Sequence, residues 1–325
     1  MTGEFRLVRR LRKREGCVFR FGIALSILAL TLPAWAQSHP QRPKITGVSH
    51  LAVYASDFAA SDRFYRLAIG LDRQPDPEDG RGAAYFFSPT QYVELLPLPK
   101  DAGPSRFDHI AFNTSSAGQM RAYLKSRHWA VPPRVASGAD GSRWFFVRDP
   151  EGNRVQFVEP PSRPRSVNAP NAIGRHVIHL GMVVRDRAAE DGFYRDILGF
   201  RPYWYGGMKD DVVNFVSQQT PDSRDWLEYM LTKDLSSLNM TLDQRGYGVL
   251  DHLSVGVPSV NATFQSLTAS GRLQGVHADA KPNLGRDGKM QLNLYDPDGT
   301  RVELMDFHAI ARPCCSPFTA EDPSE

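Results

Sequence analysis

Apolar and polar residues alternate along several short stretches of this chain, and the alternation starts twice in the same way. "HLAVYASD" (His50–Asp57) and "HLGMVVRD" (His179–Asp186) each place a histidine at the head of an otherwise apolar run. Period-two alternation predicts strands. After each run the period changes: Phe64, Ala68 and Leu71, and likewise Phe193, Ile197 and Phe200, recur at helical spacing and lead to Gly70 or Gly199. A glycine there suits a left-handed helix end. Short strands follow in both halves, among them "GAAYFFS", "YVELLPL", "VVNFVSQ" and "WLEYMLT".

A second pair of echoes completes the pattern. "FDHIAFNT" and "LDHLSVGV" each precede a helical stretch, and "RWFFVRDPEGNRVQFVE" and "MQLNLYDPDGTRVELMD" read as strand pairs around a D-P-x-G turn. Proline presets the second turn position and glycine relieves the fourth. Self-similarity of this kind predicts an α+β fold of four strand–helix–three-strand (βαβββ) units. These group as residues 45–160 and 174–308, with a Pro-rich linker at 161–173 and a disordered tail at 309–325.

Strand parity identifies candidate chemistry, because successive side chains point to opposite faces. Leu180, Met182 and Val184 form an apolar face and His179 takes the other; Leu253, Val255 and Val257 likewise oppose His252. Glu228 opposes Leu227 and Tyr229, and Glu303 opposes Val302 and Leu304. A curved sheet with helices on its outside would gather His179, Glu228, His252 and Glu303 on its inner side. Two imidazoles and one or two carboxylates suit a divalent transition metal with positions left open. The equivalents in the first half are His50, Glu94, His109 and Gln156. Glutamine is uncharged, so that site is expected to be degenerate. Glu159 is at an odd offset from Gln156 and is expected on the opposite face.

These repeats, with "FYRDILGF" and "DPDGTRVEL", resemble the vicinal-oxygen-chelate superfamily of glyoxalases, bleomycin resistance proteins and extradiol dioxygenases over nearly the whole chain after its leader. The resemblance implies two domains with curved mixed sheets and one divalent ion (iron, manganese, zinc or nickel). It implies His179, His252 and Glu303 as ligands, with Glu228 matching the extra carboxylate of glyoxalase-like members. Glu228 and Glu303 are then the catalytic candidates for glyoxalase- or epimerase-like proton transfer on a small substrate with vicinal oxygens. Extradiol cleavage of a catechol is the alternative, but Asn293 stands where those enzymes carry a tyrosine, leaving Tyr295 and His277 as nearby candidates. A non-catalytic binding or resistance protein is the third reading. Tyr203, Trp204, Tyr205, Met208 and Trp226 are candidates for a pocket wall.

Charge and cysteine usage alter this picture at the N-terminus. The 325-residue chain has 39 Lys/Arg and 36 Asp/Glu, a balance of +3. Seven of the basic and two of the acidic residues lie in residues 1–36, before an "AWA" site, so 32 against 34 remain, a balance of −2. Basic start, short apolar centre and small-residue site read as a signal peptide cleaved after Ala36. The remainder carries no basic footprint for nucleic acid. A small-molecule substrate, a periplasmic or secreted location, no membrane partner after cleavage, and a possible homo-oligomer are the corresponding expectations. Cys17 falls in the leader, and the adjacent Cys314 and Cys315 cannot staple a core. N-terminal sequencing of the protein from its native host should begin at Gln37; a chain retaining residues 1–36 would contradict the leader.

Overall fold

In both halves the predicted alternation forms strands whose apolar faces meet helices and whose other faces carry the polar residues. The structure is a computed structural model and describes residues 40–78 and 80–325. The leader lies outside the described residues. The first unit is β1 (Ile45–Ala55), α1 (Phe58–Arg63), β2 (Asp72–Pro75), β3 (Ala83–Ser88) and β4 (Gln91–Pro97). The second is β5 (Phe107–Thr114), α2 (Ala117–Ser126), β6 (Ala136–Ser137), β7 (Arg143–Arg148) and β8 (Arg154–Glu159). Next come β9 (His176–Val184), α3 (Arg187–Asp191), β10 (Arg201–Gly206), β11 (Phe215–Gln219) and β12 (Trp226–Leu231). After α4 (Gln244–Leu250) the fourth unit runs through β13 (His252–Val257), α5 (Val260–Ala269), β14 (His277–Ala278), β15 (Asn283–Leu284), β16 (Met290–Tyr295) and β17 (Arg301–Asp306).

The units pair into two mixed sheets of the same plan. Sheet one has the order β2-β3-β4-β1-β5-β8-β7-β6, and sheet two β10-β11-β12-β9-β13-β17-β16-β14 with β15 beside β16. The central pairs β1–β5 and β9–β13 are antiparallel, whereas each first strand lies parallel to the last strand of its unit. Leading strands with their polar residues are thereby brought side by side.

The repeated aspartate caps the helix that follows. Asp57 accepts from the Ala60 amide at 2.9 Å, and Asp186 from those of Ala188 and Ala189 at 3.0 and 3.1 Å, supplying acceptors that a helix start lacks. Each helix then widens into one π-turn, Phe64–Ala68 or Gly192–Ile197, before Gly70 and Gly199 turn the chain at φ +84° and +81°. The widened turns bury Phe64 with Tyr65, and Phe193 with Tyr194, in a core shared by both sheets. Trp129 stacks on Phe193 at 4.5 Å, and Gln91 exchanges two 2.9 Å bonds with the backbone of Val177.

Two segments placed outside the units by sequence are built into the fold. Val167 of the linker packs on Ala84, Phe86 and Tyr92, and Arg165 lies 4.3 Å over Phe86. Residues 309–325 were expected to be disordered, but they pack along sheet two. The fully buried Lys289 donates to Asp322 at 2.6 Å and to the Phe307 carbonyl at 2.7 Å. Thr319 bonds the Tyr203 backbone at 3.0 Å, and Phe318 packs on the Tyr203 ring. A buried ammonium needs such acceptors, and that need orders the tail. Cys314 and Cys315 are joined to each other within it.

The D-P-x-G turns tie the halves together. Tyr65 of the first half donates to Asp296 at 3.0 Å, and Tyr194 of the second to Asp149 at 3.5 Å. Glu190 of α3 accepts from the Glu151 amide at 3.0 Å and is fully buried. Burial, then the adjacent Asp149, pushes the Glu190 carboxyl well above the usual carboxylate range. The folded state therefore holds this proton more tightly than the unfolded chain. The stability that this confers is complete below the ordinary carboxylate pKa and is lost as pH rises through the raised value. Glu190→Gln should accordingly gain about 1–3 kcal/mol at alkaline pH and little at pH near 4. Equal effects at both pH values in denaturant titrations would refute this.

Candidate metal centre

The four residues read from the second half converge on the inner face of sheet two. His179 comes from β9 and Glu228 from the parallel β12, where Trp226 pairs with His179 and Glu228 with Gly181. His252 lies opposite Gly181 on β13, and Glu303 opposite Ser254 on β17. The two Nε2 atoms are 3.0 Å apart, and Glu303 Oε2 is 3.3 Å from that of His179. Glu228 Oε2 is 3.8 Å from His179 Nε2 and 3.7 Å from His252 Nε2. Gly181 is required here, since a Cβ would lie 2.0 Å from the His252 ring.

Burial governs the charge of these groups. It lowers both histidines well below their ordinary values, with Arg301 adding to the effect. It raises Glu228 to about 8, with further repulsion from Glu303, and it raises Glu303 against the pull of Arg301. His252 Nδ1 bonds the Leu250 carbonyl at 2.9 Å, which directs its Nε2 lone pair inward. His179, Glu228 and His252 place their ligand atoms within 4.8 Å of one another, with Glu303 beside His179 but outside that set, and two facing imidazole nitrogens with a carboxylate suit a divalent cation. The arrangement fits one such ion.

Sequence parity left out a cation on the same face. Arg301, two residues before Glu303 on β17, donates from Nη2 to His252 Nε2 at 2.8 Å and from Nη1 to Glu303 Oε1 at 3.3 Å. Its alternation with Glu303 in "TRVEL" was the available signal.

The first half has a comparable cluster of His50, Glu78, Glu94 and His109. The His50 and His109 Nε2 atoms are 2.9 Å apart, with Glu94 Oε2 at 3.8 and 3.6 Å from them. That oxygen is buried without a hydrogen-bond partner, as expected of a ligand lacking its ion. The view of this site as degenerate is amended. Gln156 is indeed neutral, but it donates to Glu78, a loop carboxylate that no strand pattern could place. Asp108 holds His109 Nδ1 at 2.6 Å, a support typical of metal-bound histidine. Glu159 lies on the helix side, where it accepts from the Ala117 amide at 2.9 Å.

Access separates the two clusters. A cavity of about 240 Å³ on sheet two is lined by Glu228, Arg301 and Glu303 at its base and by Trp204, Trp226 and Phe318 on its walls. Tyr203 and Met208 also line it, whereas Tyr205 does not and is exposed. Trp226 stacks on His179 at 4.6 Å. On sheet one the corresponding stack is Tyr92 on His50 at 4.1 Å, and the linker's Val167 covers it. Asn293 bonds Asp279 at 2.8 Å, while Tyr295 stacks on His277 at 4.7 Å away from the cavity lining.

Paired units with histidines on their central strands have a counterpart among known families. Residues 47–157 match the model of the Glyoxalase/Bleomycin resistance protein/Dioxygenase superfamily. That segment of the chain belongs to the superfamily. No curated protein sequence matches it. Solved structures extend the likeness in fold across both sheets. The 2,3-dioxygenase LapB from Pseudomonas sp. KL28 aligns with a TM-score of 0.60 at 15% identity, covering 82% of this chain and 93% of its own. A Mn(II)-bound glyoxalase from Novosphingobium aromaticivorans gives 0.58 at 16%, covering 81% and 83%. Homoprotocatechuate 2,3-dioxygenase from Brevibacterium fuscum gives 0.59 at 16%, covering 82% and 72%. At these identities the likeness establishes the α+β two-sheet fold.

Proposed function

We propose that the chain is a divalent-metal enzyme of this superfamily that transfers a proton on a small substrate with vicinal oxygens, at the cavity of sheet two. The observation that carries the reading is the position of Glu228. It lies 3.7–3.8 Å from the histidine pair and lines the cavity, where its carboxylate reaches a bound substrate. His179, His252 and Glu303 would hold the ion, with Glu228 as an additional ligand or as the base. When bound, the ion polarises two neighbouring substrate oxygens. The chain itself supplies orientation and desolvation. Trp204, Trp226 and Phe318 exclude water from one side, and Glu228 Oε2 takes the proton from the carbon next to the polarised oxygen and returns it.

Extradiol ring cleavage is the second reading, favoured by the number of 2,3-dioxygenases among similar folds. Against it, Asn293 is committed to Asp279 and offers no hydroxyl, and His277 is exposed at the sheet edge. A periplasmic or secreted setting remains part of the proposal, carried by residues 1–36. Among the described residues no helix is long and apolar enough to cross a membrane.

Glu228→Gln separates the two chemistries. Turnover of an enolisable hydroxy- or oxo-substrate should fall on the order of 10²–10⁴-fold. Oxygen-dependent cleavage of a catechol that survives the substitution would overturn the proton-transfer reading.

A further inference from the structure

The two sheets place an arginine at the same position, two residues before Gln156 on β8 and before Glu303 on β17, yet send it in different directions. In sheet one Arg154 pairs with Asp108, the carboxylate that also holds His109 Nδ1, and lies 4.0 Å over the Phe146 ring. The counterpart of Asp108 in sheet two is Asp251. It is engaged by the Val183 amide at 2.9 Å and the Ser105 hydroxyl at 3.3 Å. There Arg301 turns inward, and its guanidinium takes the lone pair of His252 Nε2 and one oxygen of Glu303.

We propose that Arg301 is an internal counter-cation of the second centre, which competes with the divalent ion for His252 and Glu303 and weakens its binding. The inference rests on the reading of that centre as a metal site and concerns this chain's own control of it. A guanidinium is charged at every accessible pH, so it cannot yield the site by losing a proton; it must move. A nitrogen lone pair that accepts an N–H bond is not available to a metal, and two cations sharing one buried cluster repel each other. The exit is beside it. Asn293 Oδ1 is 3.5 Å from Arg301 Nη1, and Asn293 is held by Asp279. An Arg301 swung toward these acceptors leaves His252 and Glu303 to the ion.

The test is a Mn(II) titration of metal-free protein, read as quenching of Trp226, which stacks on His179; a Trp226→Phe control isolates that signal. Arg301→Met should bind Mn(II) on the order of 10-fold more tightly than the natural chain, as removal of one competing charged hydrogen bond predicts. Asn293→Ala, which removes the exit and keeps Arg301, should weaken binding several-fold and have much less effect when combined with Arg301→Met. Unchanged or weaker binding in Arg301→Met, together with no coupling to Asn293→Ala, would overturn the proposal. It would make Arg301 a residue that holds Glu303 in position. If neither the natural chain nor any variant quenches Trp226, both the competition and the metal reading of this centre fail.

Discussion

The inner face of each sheet is organised by one electrostatic requirement. Antiparallel pairing of the leading strands brings two buried imidazole nitrogens within 2.9–3.0 Å of each other, with carboxylates alongside. Neutral nitrogens with inward lone pairs, and buried carboxylates, cannot remain together without a positive charge or shared protons. Everything around the clusters answers that requirement in one of two ways. Sheet one closes over it with the Glu78 loop and the linker, and sheet two turns Arg301 inward and leaves a cavity above it.

Duplication supplies the frame, and a few substitutions give the halves different properties. Ala52 and Gly181 occupy matching places opposite the second histidine of each sheet. The bare backbone at Gly181 lets the His252 ring lie flat against β9 and direct Nδ1 to Leu250, whereas His109 directs Nδ1 to Asp108. Asp108 accepts from His109, Tyr54 and Arg154 together, whereas Asp251 accepts from Val183 and Ser105 and Arg301 bonds His252 instead. Both sheets are also crossed by the segment that leaves their last strand. The linker after β8 packs on Tyr92, while the tail after β17 packs on Tyr203 and brings Phe318 into the cavity lining. One plan thus yields two clusters with different surroundings.

Much of this was legible in the sequence because strand parity is a short-range property. His179, Glu228, His252 and Glu303 share a face for the same reason that Leu180, Leu227, Leu253 and Leu304 share the other. The unit boundaries follow from the D-P-x-G turns and from Gly70 and Gly199. Features depending on long-range partners were not legible. Glu78 reaches its cluster from a loop, Arg301 bonds His252 across the sheet, and the order of the tail depends on the meeting of Lys289 with Asp322. Composition made the last 17 residues look disordered, but a buried ammonium outweighs composition. Arg301 itself was visible, on the face already assigned to Glu303.

The central claim is that a divalent ion occupies the open centre of sheet two. Anomalous diffraction at the manganese edge from crystals equilibrated with Mn(II) tests it most directly. The account predicts a peak about 2.0–2.2 Å from His179 Nε2, His252 Nε2 and a Glu303 oxygen, typical first-shell distances for nitrogen and carboxylate ligands. It also predicts the Arg301 guanidinium withdrawn toward Asn293. A peak confined to the cluster of His50, Glu94 and His109, with Arg301 still bonded to His252, would contradict it.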